Sequence, residues 1–223
     1  LEQLMQTAVQ YMDTGMVGVL GTSATAAVGA TSTVNWLIGS TISAISVGFL
    51  AYISQSMGAG KKEQARKASG QAVLAVLVVG IFFTILTMGL SSKVPMWMQV
   101  DPSIQKLASS YFLILYAPML FRTANIIFGT VLRAVGDTKT PMQVGIAFNV
   151  INIVLNFFLI YSTRSVLIGG KELLVPGAGW GVQGAAAASA IAYTIGGIAI
   201  TYKLWKHTEI SPKGQSLRPD LAV

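Results

Sequence analysis

The sequence predicts an all-α, polytopic membrane protein with six transmembrane helices, on three observations. Charged residues make up only 10% of the chain while hydrophobic ones make up 53%, whereas an ordinary soluble domain is about a quarter charged. Residues 14–60, 68–92, 140–163 and 173–202 contain no Lys, Arg, Asp or Glu, and each stretch exceeds the roughly 20 apolar residues that carry a helix across a bilayer. The 23 glycines suit helices that approach one another through small residues.

Six spans follow in order: residues 1–20, 27–56, 68–90, 107–135, 142–161 and 181–205. The first opens at Leu1 without an initiator Met and lacks the basic start and cleavage site of a signal peptide, so the expectation is a segment that begins part-way through its first helix. The turn at 21–25 is uncharged, and the turn at 58–67 is strongly basic. The third turn carries Lys93, Pro95, Asp101, Pro102 and Lys106, and the fourth, 133–141, is basic again. The fifth, 162–180, holds Arg164, Lys171 and Glu172 among glycines and a proline. Within the fourth span Pro118 lacks the N–H its helix needs and invites a bend.

Ten of the fifteen basic residues lie in the second turn, the fourth turn and the tail from Lys203. By the excess of Lys and Arg in cytoplasmic loops, those segments face the cytoplasm and the first helix runs outward. The expectation is therefore a multi-pass protein of the cell membrane with both ends of this segment cytoplasmic. The net charge of +7 is accounted for by these loops, and no nucleic-acid partner is expected. Residues 1–207 are expected to form the membrane unit, and 208–223, which lose apolar periodicity and gain Pro212, Gly214 and Pro219, a cytoplasmic linker or cut end.

Zero cysteines and the single His207 exclude disulfides, thiolate nucleophiles and multi-histidine metal clusters. Gly58-Ala59-Gly60-Lys61-Lys62 lacks the spacing and the final Ser/Thr of a phosphate loop, and Asp137-Thr138-Lys139-Thr140-Pro141 reads as a helix start. Neither supports catalysis, and no enzyme is expected.

Polarity inside the spans carries the functional signal. Gln3, Gln6, Gln10 and Asp13 recur at helical spacing and share one stripe that hydrocarbon cannot solvate. Asp13 is the clear intramembrane carboxylate, and an ionisable group there is functional by default. Glu2 stands too near the start for its depth to be read. Asn149, Asn152 and Asn156 share a face of the fifth span. They either hold helices together or supply carbonyl oxygens to a cation site. Arg122, near the middle of the fourth span, needs a partner: Asp13, a backbone carbonyl or an aqueous cavity. Thr31 and Asn35 lie one turn apart in the second span and could line the same cavity.

Four sets of residues then carry a resemblance. Tyr11-Met12-Asp13-Thr14-Gly15-Met16-Val17-Gly18 with Leu20-Gly21, the loop Leu132 to Met142, the run Asn149 to Asn156, and Pro176-Gly177 with Gly181-Val182-Gln183-Gly184-Ala185-Ala186 resemble, in order, motifs of the multidrug and toxic compound extrusion (MATE) transporters. The resemblance covers the amino-terminal one of that family's two six-helix lobes. It implies a Na⁺- or H⁺-coupled antiporter that exports organic, often cationic compounds by alternating access, with a carboxy-terminal lobe as partner, membrane lipid around it and no cofactor beyond the coupling ion. It implies an ion site at Asp13, Asn152, Asn156 and Ser189, with Asp13 and Asn152 as ligands if the ion is Na⁺. A substrate cavity would be lined by Gln6, Gln10, Asn35, Arg122 and Asn149. Asn156 stands where some members have aspartate, and Ser189 where many have threonine, so a paired-carboxylate proton switch is not implied here. A pore-forming subunit and a lipid-linked saccharide flippase of the wider superfamily are the alternatives.

Overall fold

The computed structural model describes residue 11, residues 14–168, residues 171–215 and residue 219. Its helices are α1 (Thr22–Gly58), α2 (Lys62–Leu90), the single-turn α3 (Val94–Trp97), α4 (Gln105–Tyr116), α5 (Met119–Ala134), α6 (Lys139–Leu159) and α7 (Gly181–Lys206). A hairpin, β1 (Ser162–Ile168) and β2 (Lys171–Ala178), connects α6 to α7. Four of these helices are each long and apolar enough to cross a bilayer, and α4 with α5 together forms one more span, the fourth in chain order, bent by 49°. Residues 14–18 are helical and form the described end of the first span.

The bend falls where the sequence puts it. Pro118 cannot donate to Ile114 one turn back, so α4 stops at Tyr116 and α5 restarts with the Arg122 N–H on the Pro118 carbonyl at 3.2 Å. The two basic turns end their helices by one device. Gly60 (φ +74°) and Gly136 (φ +85°) adopt the left-handed conformation. The N–H of Lys61 reaches the Ser56 carbonyl at 2.8 Å, and that of Asp137 reaches Leu132 at 3.1 Å, bonds that satisfy carbonyls left over at a helix end. Asp137 then accepts the Thr140 N–H at 3.0 Å and starts α6.

Side-chain burial inverts the soluble pattern where lipid is expected. Leu77, Val78, Ile81, Phe82 and Ile85 of α2 are exposed, while α5 buries Arg122, Thr123, Ile127, Phe128, Val131 and Leu132. The chain divides into two compact units. One comprises Leu1–Val34, Thr87–Ala117 and Phe148–Ala192, the other Asn35–Leu86, Pro118–Ala147 and Tyr193–Val223.

In the first unit the hairpin is antiparallel, with Arg164 opposite Val175 and Ile168 opposite Lys171, and a bulge between Ser162 and Arg164. Pro176 lies against that bulge, where a missing donor breaks no ladder bond. The Thr163 hydroxyl pairs with Gly177 instead, accepting its N–H at 3.2 Å and donating to its carbonyl at 3.3 Å. The returning chain caps α6: the N–H groups of Gly179, Trp180 and Gly181 donate to Tyr161, Leu159 and Ile160 at 2.9, 2.9 and 3.0 Å. Such closeness requires glycine, because a Cβ on Gly177 or Gly184 would run into the Tyr161 or Leu159 carbonyl oxygen.

In the second unit α5 is gripped through glycines. A Cβ on Gly197 would lie 2.6 Å from Phe121, and one on Gly80 2.9 Å from the Leu120 Cα, so the helix backbones meet directly. After α7 the chain turns back. Lys62 and Glu209 form an ion pair at 2.8 Å, Arg66 Nε donates to the Ser211 carbonyl at 3.2 Å, and Ile210 is fully buried.

Candidate functional site

In the first unit, α6 presents its asparagine row towards α7. Asn152 Nδ2 donates to the Ser189 Oγ at 3.0 Å, and Asn156 Nδ2 donates to the Asn152 Oδ1 at 3.1 Å. Asn152 and Asn156 are each 1% exposed and Asn149 5%. Amide groups removed from water cost several kcal/mol apiece, roughly 2–7, unless bonded. The 4-residue step from Asn152 to Asn156 and the facing serine answer part of that cost within the unit. The helix-gluing and cation-site readings of this trio both demand this burial, and Asn152 and Asn156 with Ser189 bring amide and hydroxyl groups together, whose oxygens are of the kind a hard cation takes.

The same unit holds the described end of the first span, where the Tyr161 hydroxyl donates to the Met16 carbonyl at 3.4 Å. Asp13, Gln6 and Gln10 lie outside the described residues, as do Glu2 and Gln3.

Arg122 and Asn35 belong to the second unit. Arg122 is 7% exposed, and its guanidinium sits over the Tyr193 ring at 5.1 Å, close to Gly39, where a Cβ would lie 3.7 Å from the nearer terminal nitrogen. A cation on an aromatic face is a partner the sequence reading did not weigh. Tyr193 carries no polar spacing that would have flagged it. Asn35 is half-buried on α1. The buried Thr31 hydroxyl donates to its own helix at the Val28 carbonyl, 2.8 Å away, which spends its donor locally. A further cation the sequence left in a loop, Arg164, lies over both Tyr161 (4.0 Å) and Phe157 (4.6 Å).

Outside the spans, two carboxylates have shifted acidities. Partial burial pushes Asp137 up, but hydrogen bonds from Thr140 outweigh it and hold the group below 3.8. The Lys62 ammonium, bonded to Glu209, holds that carboxyl below 4.5.

With a bent fourth span, a hairpin before the last helix and a buried asparagine row, the chain can be set beside known proteins. The MatE family model matches residues 1–158. The chain belongs to the MatE family. It is 26% identical over 229 residues to the probable multidrug resistance protein NorM of Thermotoga maritima, an alignment covering 100% of this chain and 47% of that relative. The probable multidrug resistance protein YpnP of Bacillus subtilis is 30% identical over 154 residues, 68% of this chain and 34% of the relative. An outward-facing multidrug resistance MATE family transporter of the MOP superfamily superposes with a TM-score of 0.85 at 24% identity, covering 99% of this chain and 46% of that one. An inward-facing conformation of such a transporter superposes at 0.81 and 25% identity, covering 97% and 46%. The MatE chain described here thus spans about half the length of the proteins it matches, and the fold class and membrane character expected from its sequence stand.

Proposed function

We propose that this MatE chain is the ion-coupling lobe of a cation-coupled antiporter that exports organic, often cationic compounds by alternating access. The observation that carries the reading is the buried relay from Asn156 through Asn152 to Ser189, in the unit that also holds the end of the first span. Asp13 stands three residues before Met16 in sequence, and a carboxylate there is costly unless a cation or proton compensates it. Asp13 supplies the charge, and Asn152, Asn156 and Ser189 supply neutral oxygens and hold one another in place. Na⁺ would take Asp13 and Asn152 as ligands, whereas a proton would reside on Asp13 alone. Relatives described as inward-facing and as outward-facing support alternating access, and completion of the substrate path is assigned to a second lobe.

The test is transport by the complete protein in proteoliposomes, with Na⁺ and H⁺ gradients imposed separately and a fluorescent organic cation as cargo. Uphill movement of the cargo under one of the two gradients is expected. Flux that only follows the cargo's own gradient, whatever ions are present, would instead mark a pore.

A further inference from the structure

Lys206 and Lys213 line one open cavity of about 460 Å³, whose walls include Phe121, Ile198, Tyr202 and Trp205. The returning tail brings the two lysines together. Ser211 donates to the Trp205 carbonyl at 2.8 Å, and a turn closed by the Gln215 N–H on the Pro212 carbonyl at 3.1 Å carries Lys213 back, with Gly214 at φ +77° completing it. The Lys206 ammonium rests over the Tyr202 ring at 4.5 Å. Among the described residues no carboxylate lines the cavity, and Glu209 is taken by Lys62 at 2.8 Å. Two cations thus face a single space with no fixed counter-charge among the described residues, which is the field an anion seeks.

Apart from Thr201 and the Tyr202 hydroxyl the remaining wall is apolar, and an apolar face continues along α7. Ile191, Ile195, Ile198 and Tyr202 are all exposed and, at steps of four, three and four, occupy one face of the helix. A free anion would leave that length unused. A cationic head on an apolar stripe matches a lipid whose phosphate is charged and whose chains are not.

We propose that this groove is a specific site for an acidic phospholipid, with the headgroup phosphate between Lys206 and Lys213 and an acyl chain along Ile198 and Ile195. The site depends on α7 being embedded in the membrane and not on export or its coupling ion.

The experiment uses the complete transporter with every tryptophan except Trp205 replaced by phenylalanine, in phosphatidylcholine nanodiscs doped with either brominated phosphatidylglycerol or brominated phosphatidylcholine. Bromine quenches a tryptophan it touches. Each lysine near an anionic headgroup is worth about a fivefold preference, and the two multiply, so half-quenching of Trp205 is expected at roughly 25-fold less phosphatidylglycerol than phosphatidylcholine. K206Q/K213Q should erase that preference while keeping the phosphatidylcholine curve, which also reports that the variant is folded and inserted. Equal quenching by both lipids in the unsubstituted lysine background would overturn the proposal in favour of unselective lipid contact. Absence of quenching by either lipid would overturn it in favour of a face covered by the second lobe.

Discussion

Asn152 and Ser189 meet across α6 and α7 at 3.0 Å, and the same asparagine accepts from Asn156 at 3.1 Å. Asn152 is therefore donor and acceptor at once, the middle of a relay whose two outer members depend on it for their geometry.

That dependence is measurable. In the complete transporter, Asn152→Ala and Ser189→Ala should each lower the melting temperature in detergent. Their double-mutant cycle should return a coupling of about 0.6 kcal/mol, the average for hydrogen bonds between membrane helices, and at most about 1.7 kcal/mol. Additive effects would show that the bond carries no energy of its own.

Glycine substitutions should separate tight from open contacts. Gly197→Ala drives a methyl into Phe121 at 2.6 Å and should cost about 1–3 kcal/mol. Gly48, with nothing within 4 Å of its Cβ position, should accept alanine without loss, since alanine favours helix by up to about 1 kcal/mol. Thermal melting of the two variants side by side checks the contrast.

The Asp137 cap gives a pH signature. Its folded acidity lies below the ordinary 3.8, so its stabilisation is fully present above that value and is lost as the pH falls through the folded pKa. Asp137→Ala should cost about 1 kcal/mol or less at neutral pH, the group being only partly buried and so partly screened by water. The difference in melting temperature between wild type and variant should shrink on acidification below 3.8. A constant difference would remove the charge from the explanation.

Orientation can be read by labelling this cysteine-free chain. Ser165 is exposed on β1 and Gln64 is exposed at the start of α2, whereas Ser69 is fully buried and would report nothing. In intact cells an impermeant thiol reagent should modify Ser165→Cys and spare Gln64→Cys. The opposite pattern would invert the proposed topology.

Span positions were legible because charge cannot enter hydrocarbon, so gaps between charges mark helices whatever their neighbours do. The bend at Pro118 was legible for a local reason, one missing donor. The hairpin was missed, although Ile168-Gly169-Gly170-Lys171 places two glycines between apolar runs, a known signal for a tight turn between strands. Its charges and Pro176 read as a plain loop because the Thr163 to Gly177 bonds that rescue the bulge are not local in sequence. Burial of Ile210 and the Lys62 to Glu209 pair join residues 147 apart, so composition of the tail alone could not reveal that it turns back. Of the site, the spacing of Asn149, Asn152 and Asn156 gave the shared face, but Ser189 came through the family resemblance. The Tyr193 ring beneath Arg122 came only from the fold. Asp13, Gln6 and Gln10, read from the sequence as the stripe of the first span, lie outside the described residues.

Coupling through Asp13 is the central claim, and one comparison tests it most directly. Asp13→Asn preserves size and hydrogen bonding while discarding the charge that a cation or proton must compensate. In the complete transporter, reconstituted in vesicles under the gradient that drives the unaltered protein, this variant should bind the organic cation in detergent with nearly unchanged affinity yet lose gradient-driven export. Export by Asp13→Asn at the wild-type rate under the same gradient would contradict the account and move the coupling ion away from this lobe.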